Sequence, residues 1–159
     1  MKKMILFLMF GLLVIGCKSK SATETRVDRK TANMMNGTWT LTSVTNPGSG
    51  YIKVNTFQLA DSKCFEGSRW KLVSNNNKGE MSLSNPGADC PAFSSPLTWF
   101  LNKNGQFVLK LLNAGDKARK VRDGYVLDVA NVTGSSFELI DMVDVGGKKE
   151  NVVYHFDKI

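Results

Sequence analysis

Three cysteines and a single histidine, Cys17, Cys64, Cys90 and His155, are the residues best suited to covalent or metal chemistry in this chain. A thiol can be acylated, paired in a disulfide or used as a metal ligand. A metal site needs further ligands at suitable spacing, and His155 lies far in sequence from every cysteine. We therefore expect no metal site and no cofactor.

Cys17 follows an apolar segment at the start of the chain. Residues 1–4 are positively charged, residues 5–15 are apolar apart from Gly11, and Gly16 is small, an order typical of a secretory signal. The apolar run is about half of the ~20 residues that a membrane-spanning helix needs. Residues 14–17, VIGC, resemble the lipobox of bacterial lipoproteins, which implies that residues 1–16 are removed and that Cys17 carries lipid. The alternative is an ordinary secreted protein with a chance cysteine.

With Cys17 assigned to lipid, Cys64 and Cys90 remain as a pair in an exported protein. Export leads to a compartment that permits disulfides, so we predict that the two are bonded. Cys64 precedes the second strand predicted below and Cys90 follows the third. Because those strands form a hairpin, both loops leave the same end of the sheet.

Catalytic arrangements are hard to find in the sequence. Nucleophilic catalysis needs a base beside an activated serine or cysteine, but His155 falls at a strand position predicted to face outward. The carboxylates of Asp128 and Glu138 are also predicted to face outward, so they do not converge as glycoside chemistry requires. We expect that the protein is not an enzyme.

The positive charge lies mainly outside the predicted domain. Residues 18–33 contain five basic and two acidic residues and a single large apolar residue, Val27, so they are predicted to form a flexible tether. From Met34 onward, 14 basic residues face 12 acidic ones. The near-neutral domain argues against nucleic acid as a partner, whereas a basic tether beside a lipid anchor favours contact with anionic headgroups.

Short alternating segments rich in Thr, Val and aromatic residues dominate the chain after Met34, and turn residues such as Asn and Gly separate them. Residues 56–65 are predicted to form a short helix or a turn, and residues 117–122 are a candidate ninth strand. Eight strands are predicted, at Gly37–Thr45, Ser68–Ser74, Gly79–Ser84, Leu97–Lys103, Gln106–Leu112, Gly124–Asn131, Ser136–Val143 and Lys149–Asp157.

The expected fold is all-β, an eight-stranded antiparallel up-and-down barrel over residues 34–159, because closure removes both exposed edges of such a meander. An eight-stranded barrel is either filled by side chains or holds one small ligand. The inward-facing candidates for ligand binding are Trp70, Leu72, Met81, Leu83, Trp99, Leu101, Phe107, Leu109, Tyr125, Leu127, Phe137 and Tyr154.

Residues 37–39, Gly-Thr-Trp, resemble the Gly-x-Trp signature of lipocalins, in which the tryptophan packs across the closed end of the barrel. Residues 64–70, 75–79, 124–125 and 154–156 extend the resemblance to the lipocalin-like lipoproteins of Bacteroidetes. Two family features are missing: a Thr-Asp-Tyr signature in mid-chain, and an arginine in the last strand to stack on Trp39.

These observations favour a lipid-anchored, lipocalin-like barrel that binds a small apolar or amphipathic molecule in the bacterial envelope. The alternative is a solid-cored structural or protein-interaction module. Residues 18–33 contain neither an aspartate directly after Cys17 nor an acidic run, so the periplasmic face of the outer membrane is the expected location. The basic cluster at residues 117–122 is either a solvated loop or an attractor for a ligand carboxylate or a headgroup.

Overall fold

The computed structural model of the chain describes residues 28–46, 53–84, 87, 89–112, 117, 121 and 124–159. Its helical elements are the helix α1 and one 3-10 turn, and none of the described helices is long and apolar enough to cross a membrane. The elements are α1 (Arg29–Met34), β1 (Gly37–Thr45), β2 (Asn55–Thr56), β3 (Ala60–Asp61), the 3-10 turn (Ser62–Phe65), β4 (Arg69–Val73), β5 (Lys78–Ser82), β6 (Ser94–Leu101), β7 (Phe107–Leu111), β8 (Tyr125–Ala130), β9 (Ser136–Val145) and β10 (Lys148–Lys158).

Eight of these strands form a closed antiparallel barrel within the described part of the chain, in the order β1-β10-β9-β8-β7-β6-β5-β4. Sequential neighbours pair throughout, and β1 closes the ring by pairing with both β4 and β10. This is the all-β, up-and-down barrel that the alternating sequence predicts. We call the end at which β1 begins the lower end and the opposite end the upper end.

All eight predicted barrel strands are present, with ends shifted by up to three residues. The predicted short helix or turn at residues 56–65 is instead the small hairpin β2–β3 followed by the 3-10 turn. The candidate ninth strand at residues 117–122 lies almost wholly outside the described residues.

Residues 29–33, which the sequence analysis places in a flexible tether, belong to helix α1. The side chain of Asp28 caps the helix by accepting a hydrogen bond from the backbone N–H of Thr31, and it also accepts one from the Thr31 hydroxyl. Ala32 is buried against the barrel, as is Met35, which follows the helix. The ordered structure therefore begins before Met34, because a cap and a small apolar contact compensate for the polar composition of the segment.

Candidate functional site

The side chains predicted to face inward do lie inside the barrel. All twelve predicted ligand-binding residues are buried except Tyr125, which is half-buried. They contact one another closely: the ring of Trp99 stacks on that of Phe107 at 5.3 Å, and Trp70 meets Phe156 edge-on at 5.5 Å. The indole N–H groups of Trp70 and Trp99 donate to the Ser68 hydroxyl and the Lys78 carbonyl, respectively. The burial is as expected, and the ligand-binding role of these residues stays a prediction.

The lower end is sealed around Trp39. Its indole N–H donates to the carbonyl of Met35 (2.8 Å), and its ring meets Phe137 edge-on at 4.7 Å. The ammonium group of Lys158 lies 5.3 Å from the ring centre. The last strand lacks the arginine that would stack on Trp39 in the lipocalin family. A lysine at the end of β10 supplies the cation in its place.

The upper end is covered by the hairpin β2–β3, which we call the plug (residues 54–61). Val54, Thr56 and Phe57 of the plug are buried, and Phe57 is only 6% exposed. The Phe57 ring lies among four aromatic rings, with centroid distances of 5.4 Å to Phe65, 6.1 Å to Trp70, 4.9 Å to Tyr125 and 6.3 Å to Tyr154. A single phenylalanine thus fills an aromatic cage in the barrel mouth.

Two tyrosine hydroxyls from the barrel wall hold the plug in place. The hydroxyl of Tyr125 donates to the carbonyl of Phe57 (2.7 Å), and the hydroxyls of Tyr154 and Thr56 share a hydrogen bond of 2.6 Å. Burial raises the pKa of Tyr154, as do the charges of Asp141 and Asp61, and these effects outweigh the opposing hydrogen bond from Thr56. Tyr154 therefore remains a neutral phenol at physiological pH.

The plug contains unfavourable backbone geometry at its tip. Phe57 and Gln58 have φ values of 52° and 56°, and they form the centre of a turn closed by the bond from the Leu59 N–H to the Thr56 carbonyl (3.0 Å). The left-handed region costs a residue with a side chain about 1–2 kcal/mol, and glycine or asparagine usually occupies such positions. Strain of this kind persists only where the surroundings impose it, and it is frequent at ligand sites.

A carboxylate faces the barrel interior beside the plug. Asp141 on β9 pairs directly with Val152 of β10, and Val152 is buried inside the barrel. Asp141 therefore continues the inward series begun by Phe137 and Leu139. Its partial burial raises the pKa of its carboxyl group. The sequence analysis did not place Asp141 inside the barrel, although the alternation of β9 contains that information.

The disulfide fixes the segment that follows the plug. Cys64 and Cys90 are bonded, with their Cα atoms 5.4 Å apart, which confirms the predicted pairing. Cys64 lies in the 3-10 turn, whose exit is held by Glu66: its side chain accepts hydrogen bonds from the Val44 N–H and the Lys63 ammonium group. Burial alone would raise the pKa of Glu66, but these bonds and the Lys63 charge lower it below the usual value.

His155 lies on the outer face, as predicted, but between two partners that the sequence analysis did not connect with it. Its Nε2 atom is 3.1 Å from the Thr45 hydroxyl, and its Nδ1 atom is 3.1 Å from a carboxylate oxygen of Glu138. Asn131 donates a hydrogen bond to the other oxygen of Glu138 (2.7 Å). Hydroxyl, imidazole and carboxylate are thus connected in the order used by nucleophilic hydrolases. They stand on three adjacent strands, with the Thr45 side chain open to solvent.

The described surface carries a groove of about 510 Å³ at the lower end, between α1 and the β4–β5 turn. Arg29, Asn33, Asn75 and Asn77 give it a polar rim, with Phe100 at its side. Cys17 and most of the basic cluster at residues 117–122 lie outside the described residues.

The family comparison agrees with this architecture. A family model described as a lipocalin-like domain matches residues 35–139. The chain is similar to the crystal structure of lobster apocrustacyanin A1, with 12% identity, coverage of 85% of this chain and 71% of that chain, and a TM-score of 0.47. No curated protein matches the sequence.

Proposed function

The chain belongs to the lipocalin-like domain family, and from this premise we propose that it binds a small apolar or amphipathic molecule inside its barrel. The observation that carries the proposal is the difference between the barrel and its cover at the upper end. The wall presents an apolar, largely aromatic interior, and the mouth is filled by a short separate hairpin, not by a barrel strand. Apolar cavities with a few placed polar groups are the usual sites for such ligands.

Native mass spectrometry tests binding directly. The full chain carrying Cys17→Ser, which removes the thiol predicted to carry lipid, is purified without detergent after expression in its native compartment. We expect a species heavier than the polypeptide by the mass of one small molecule, which organic extraction then releases. A chain that shows only its polypeptide mass and also fails to bind any neutral apolar dye would contradict the proposal.

The competing function is a solid-cored structural or interaction module. In its favour, the inward side chains contact one another, and all three indole N–H groups are hydrogen-bonded within the fold. A barrel packed to the density of a protein interior has no room for a guest. The two functions differ in a single measurable property, since only a binding barrel changes its tryptophan fluorescence when an apolar probe is added.

We propose further that Cys17 is acylated and that the barrel faces the periplasm from the outer membrane. The support is the order of charged, apolar and small residues before Cys17, and the basic tether that follows it. Labelling of cells with an alkynyl fatty acid should mark the wild-type chain and leave Cys17→Ser unmarked. Protease added to intact cells should spare the protein; rapid digestion would place it on the cell surface.

We propose that the protein has no enzymatic activity, and the group formed by Thr45, His155 and Glu138 is the point at which to test this. The three side chains are connected in a suitable order, but they lie on the outer face of the barrel, away from its apolar interior. Activated aryl esters should be hydrolysed at the same rate by the wild type and His155→Ala. A rate that depends on His155 would contradict the proposal.

A further inference from the structure

We infer that the plug occupies the position of the ligand, with Phe57 standing in for its apolar ring and the Phe57 carbonyl for its hydrogen-bond acceptor, and that the site favours a neutral or cationic ligand over a carboxylate. This inference rests on the proposed function and specifies it: what the ligand must displace, and which chemical class can do so.

Aromatic rings form the cage that Phe57 fills. Four rings surround it, and three of them, Phe65, Trp70 and Tyr125, meet the Phe57 ring at steep angles of 62–85°. Tyr125 also donates its hydroxyl hydrogen to the Phe57 carbonyl, so one wall residue contacts both the ring and the polar group. An aromatic or alicyclic ligand with a carbonyl or ether oxygen close to its ring would satisfy the same partners.

The plug fills the mouth of the barrel at the cost of backbone strain. Phe57 and Gln58 both adopt positive φ, and neither residue type is suited to that region. Since leaving the mouth releases this strain, the strain lowers the free energy that a ligand must supply to displace the plug. The barrel wall keeps its own pairing when the plug leaves, because β2 and β3 pair with each other and not with a barrel strand.

Charged side chains lie around the mouth of the barrel. Asp141 enters from β9, and Asp61 is the last residue of the plug, where its side chain accepts a hydrogen bond from the Lys63 N–H. Burial raises the pKa of the Tyr154 hydroxyl, and the charges of both carboxylates add to this effect. The Lys63 ammonium group is engaged by Glu66, and Lys53, just before the plug, is exposed. Asp141 belongs to the barrel wall and stays in place when the plug leaves, so its carboxylate opposes an anionic ligand, and a partly buried site screens that repulsion less than water does.

Two dyes with the same fused rings test the inference: N-phenylnaphthylamine, which is neutral, and anilinonaphthalene sulfonate, which is an anion. Both are titrated by fluorescence into the full chain carrying Cys17→Ser. We expect the neutral dye to bind about tenfold more tightly than the sulfonate, and Asp141→Asn to narrow this ratio. Equal binding, or tighter binding of the sulfonate, would overturn the charge preference and favour a role for the basic cluster at residues 117–122.

Two plug variants should move the affinity for the neutral dye in opposite directions. Phe57→Ala empties the cage and keeps the positive φ, so we expect affinity to rise about fivefold as the open state becomes more populated. Gln58→Gly relieves strain at an exposed position and stabilises the plug, so we expect affinity to fall about threefold. Gln58→Ala is the matched control, since alanine keeps the unfavourable φ, and its affinity should stay that of the parent chain.

The responses of the variants in dye binding distinguish a failure of this inference from a failure of the proposed function. Neutral-dye binding that responds to neither Phe57→Ala nor Gln58→Gly would leave a ligand-binding barrel but would overturn the plug as the stand-in for its ligand. Absence of dye binding in every variant, with folding verified by circular dichroism, would overturn the proposed function itself. Because Gln58→Gly is expected to stabilise the fold, the test does not depend on Phe57→Ala remaining folded.

Discussion

The two ends of the barrel are closed in different ways. At the lower end, Trp39 contacts Phe137, whose ring stacks on Phe156 at 4.5 Å. The indole N–H of Trp39 donates to the carbonyl of Met35, just after helix α1. At the upper end, the plug places one phenylalanine among four aromatic rings, with positive φ at two residues and carboxylates nearby. The lower closure uses favourable local geometry, whereas the upper one depends on contacts that override it.

This difference shows how one barrel can combine a permanent base with a displaceable cover. A closure that is part of the main core opens only when the molecule unfolds. A closure that stores strain and rests on a few hydrogen bonds can open while the barrel stays folded, because local stability differs across a structure. Variants at the two ends should therefore differ in their effect on the free energy of unfolding.

The largest expected effect belongs to the lower end. Trp39→Ala should reduce the free energy of unfolding by about 3–5 kcal/mol, because it leaves a large cavity among rings that cannot collapse into it. Urea denaturation of the full chain carrying Cys17→Ser measures the loss, with Val126→Ala on the exposed face of β8 as a control expected to change stability by less than about 0.5 kcal/mol. A loss as small as that of the control would mean that the lower end is no firmer than the plug.

Removal of the disulfide should have the next largest effect. The bond between Cys64 and Cys90 closes a loop across 26 residues, which corresponds to about 3.5 kcal/mol on the chain-entropy model. Cys64→Ser and Cys90→Ser should lower the thermal midpoint equally, and the double variant should lose no more than either single one. Alkylation of the non-reduced protein should find neither thiol free; labelling of both would contradict the bond.

Asp141→Asn should raise the free energy of unfolding at neutral pH. The expected increase is smaller than the decrease expected for the cysteine variants. Burial raises the pKa of Asp141 in the folded state, so folding favours its protonated form. The stability that this provides is fully present below the unfolded pKa and is lost as pH rises through the folded pKa. The variant should therefore gain most over the wild type at neutral pH and little in acid. An equal difference at all pH values would show that the charge of Asp141 is not the cause.

Relief of backbone strain at the plug should raise the free energy of unfolding slightly. Gln58→Gly should stabilise the fold by about 0.5–1 kcal/mol, the benefit of a residue suited to positive φ less the greater freedom of glycine in the unfolded chain. Gln58→Ala should give no such gain, which separates backbone strain from loss of the side chain. If glycine proves destabilising, the plug tip is not strained, and the contrast between the two ends weakens.

The cation at the lower end should have an effect of about the same size. Lys158→Met should cost about 0.5–1 kcal/mol, the usual value for an exposed cation over an aromatic face. Lys158→Arg should retain the interaction, since a guanidinium group also stacks on indole. A loss with arginine equal to that with methionine would mean that the position of the ammonium group over Trp39 carries no energy.

The barrel strands could be predicted because their signal is local. Alternation in β1, β4 and β9 decides which side chains face inward, and no other part of the molecule needs to be known. The pairing of Cys64 with Cys90 followed from the same reasoning, because a hairpin brings their loops to one end of the sheet. The inward phase of Asp141 was available in the same alternation but was not used.

The upper end could not be predicted in this way. Residues 55–61 show no alternation long enough to mark a strand, and a turn centred on Phe57 and Gln58 contradicts the preference for glycine and asparagine at positive φ. The geometry is imposed by the barrel wall, through the bonds to Tyr125 and Tyr154. Local sequence signals fail where tertiary contacts override them, and such places are often functional.

The sequence by itself determined the strand number and the inward aromatic set, since both follow from spacing along the chain, and the disulfide, since a hairpin brings its two loops to one end of the sheet. The place of Trp39 at the lower end was implied by the resemblance of residues 37–39 to the lipocalin signature. Tertiary structure alone decided that Thr56 meets Tyr154 across 98 residues, that Lys158 lies over Trp39, and that His155 joins Thr45 to Glu138. These contacts exist only once β1 and β10 have paired and the ring is closed. Closure brings together residues from the two ends of the chain, which no local pattern in the sequence specifies.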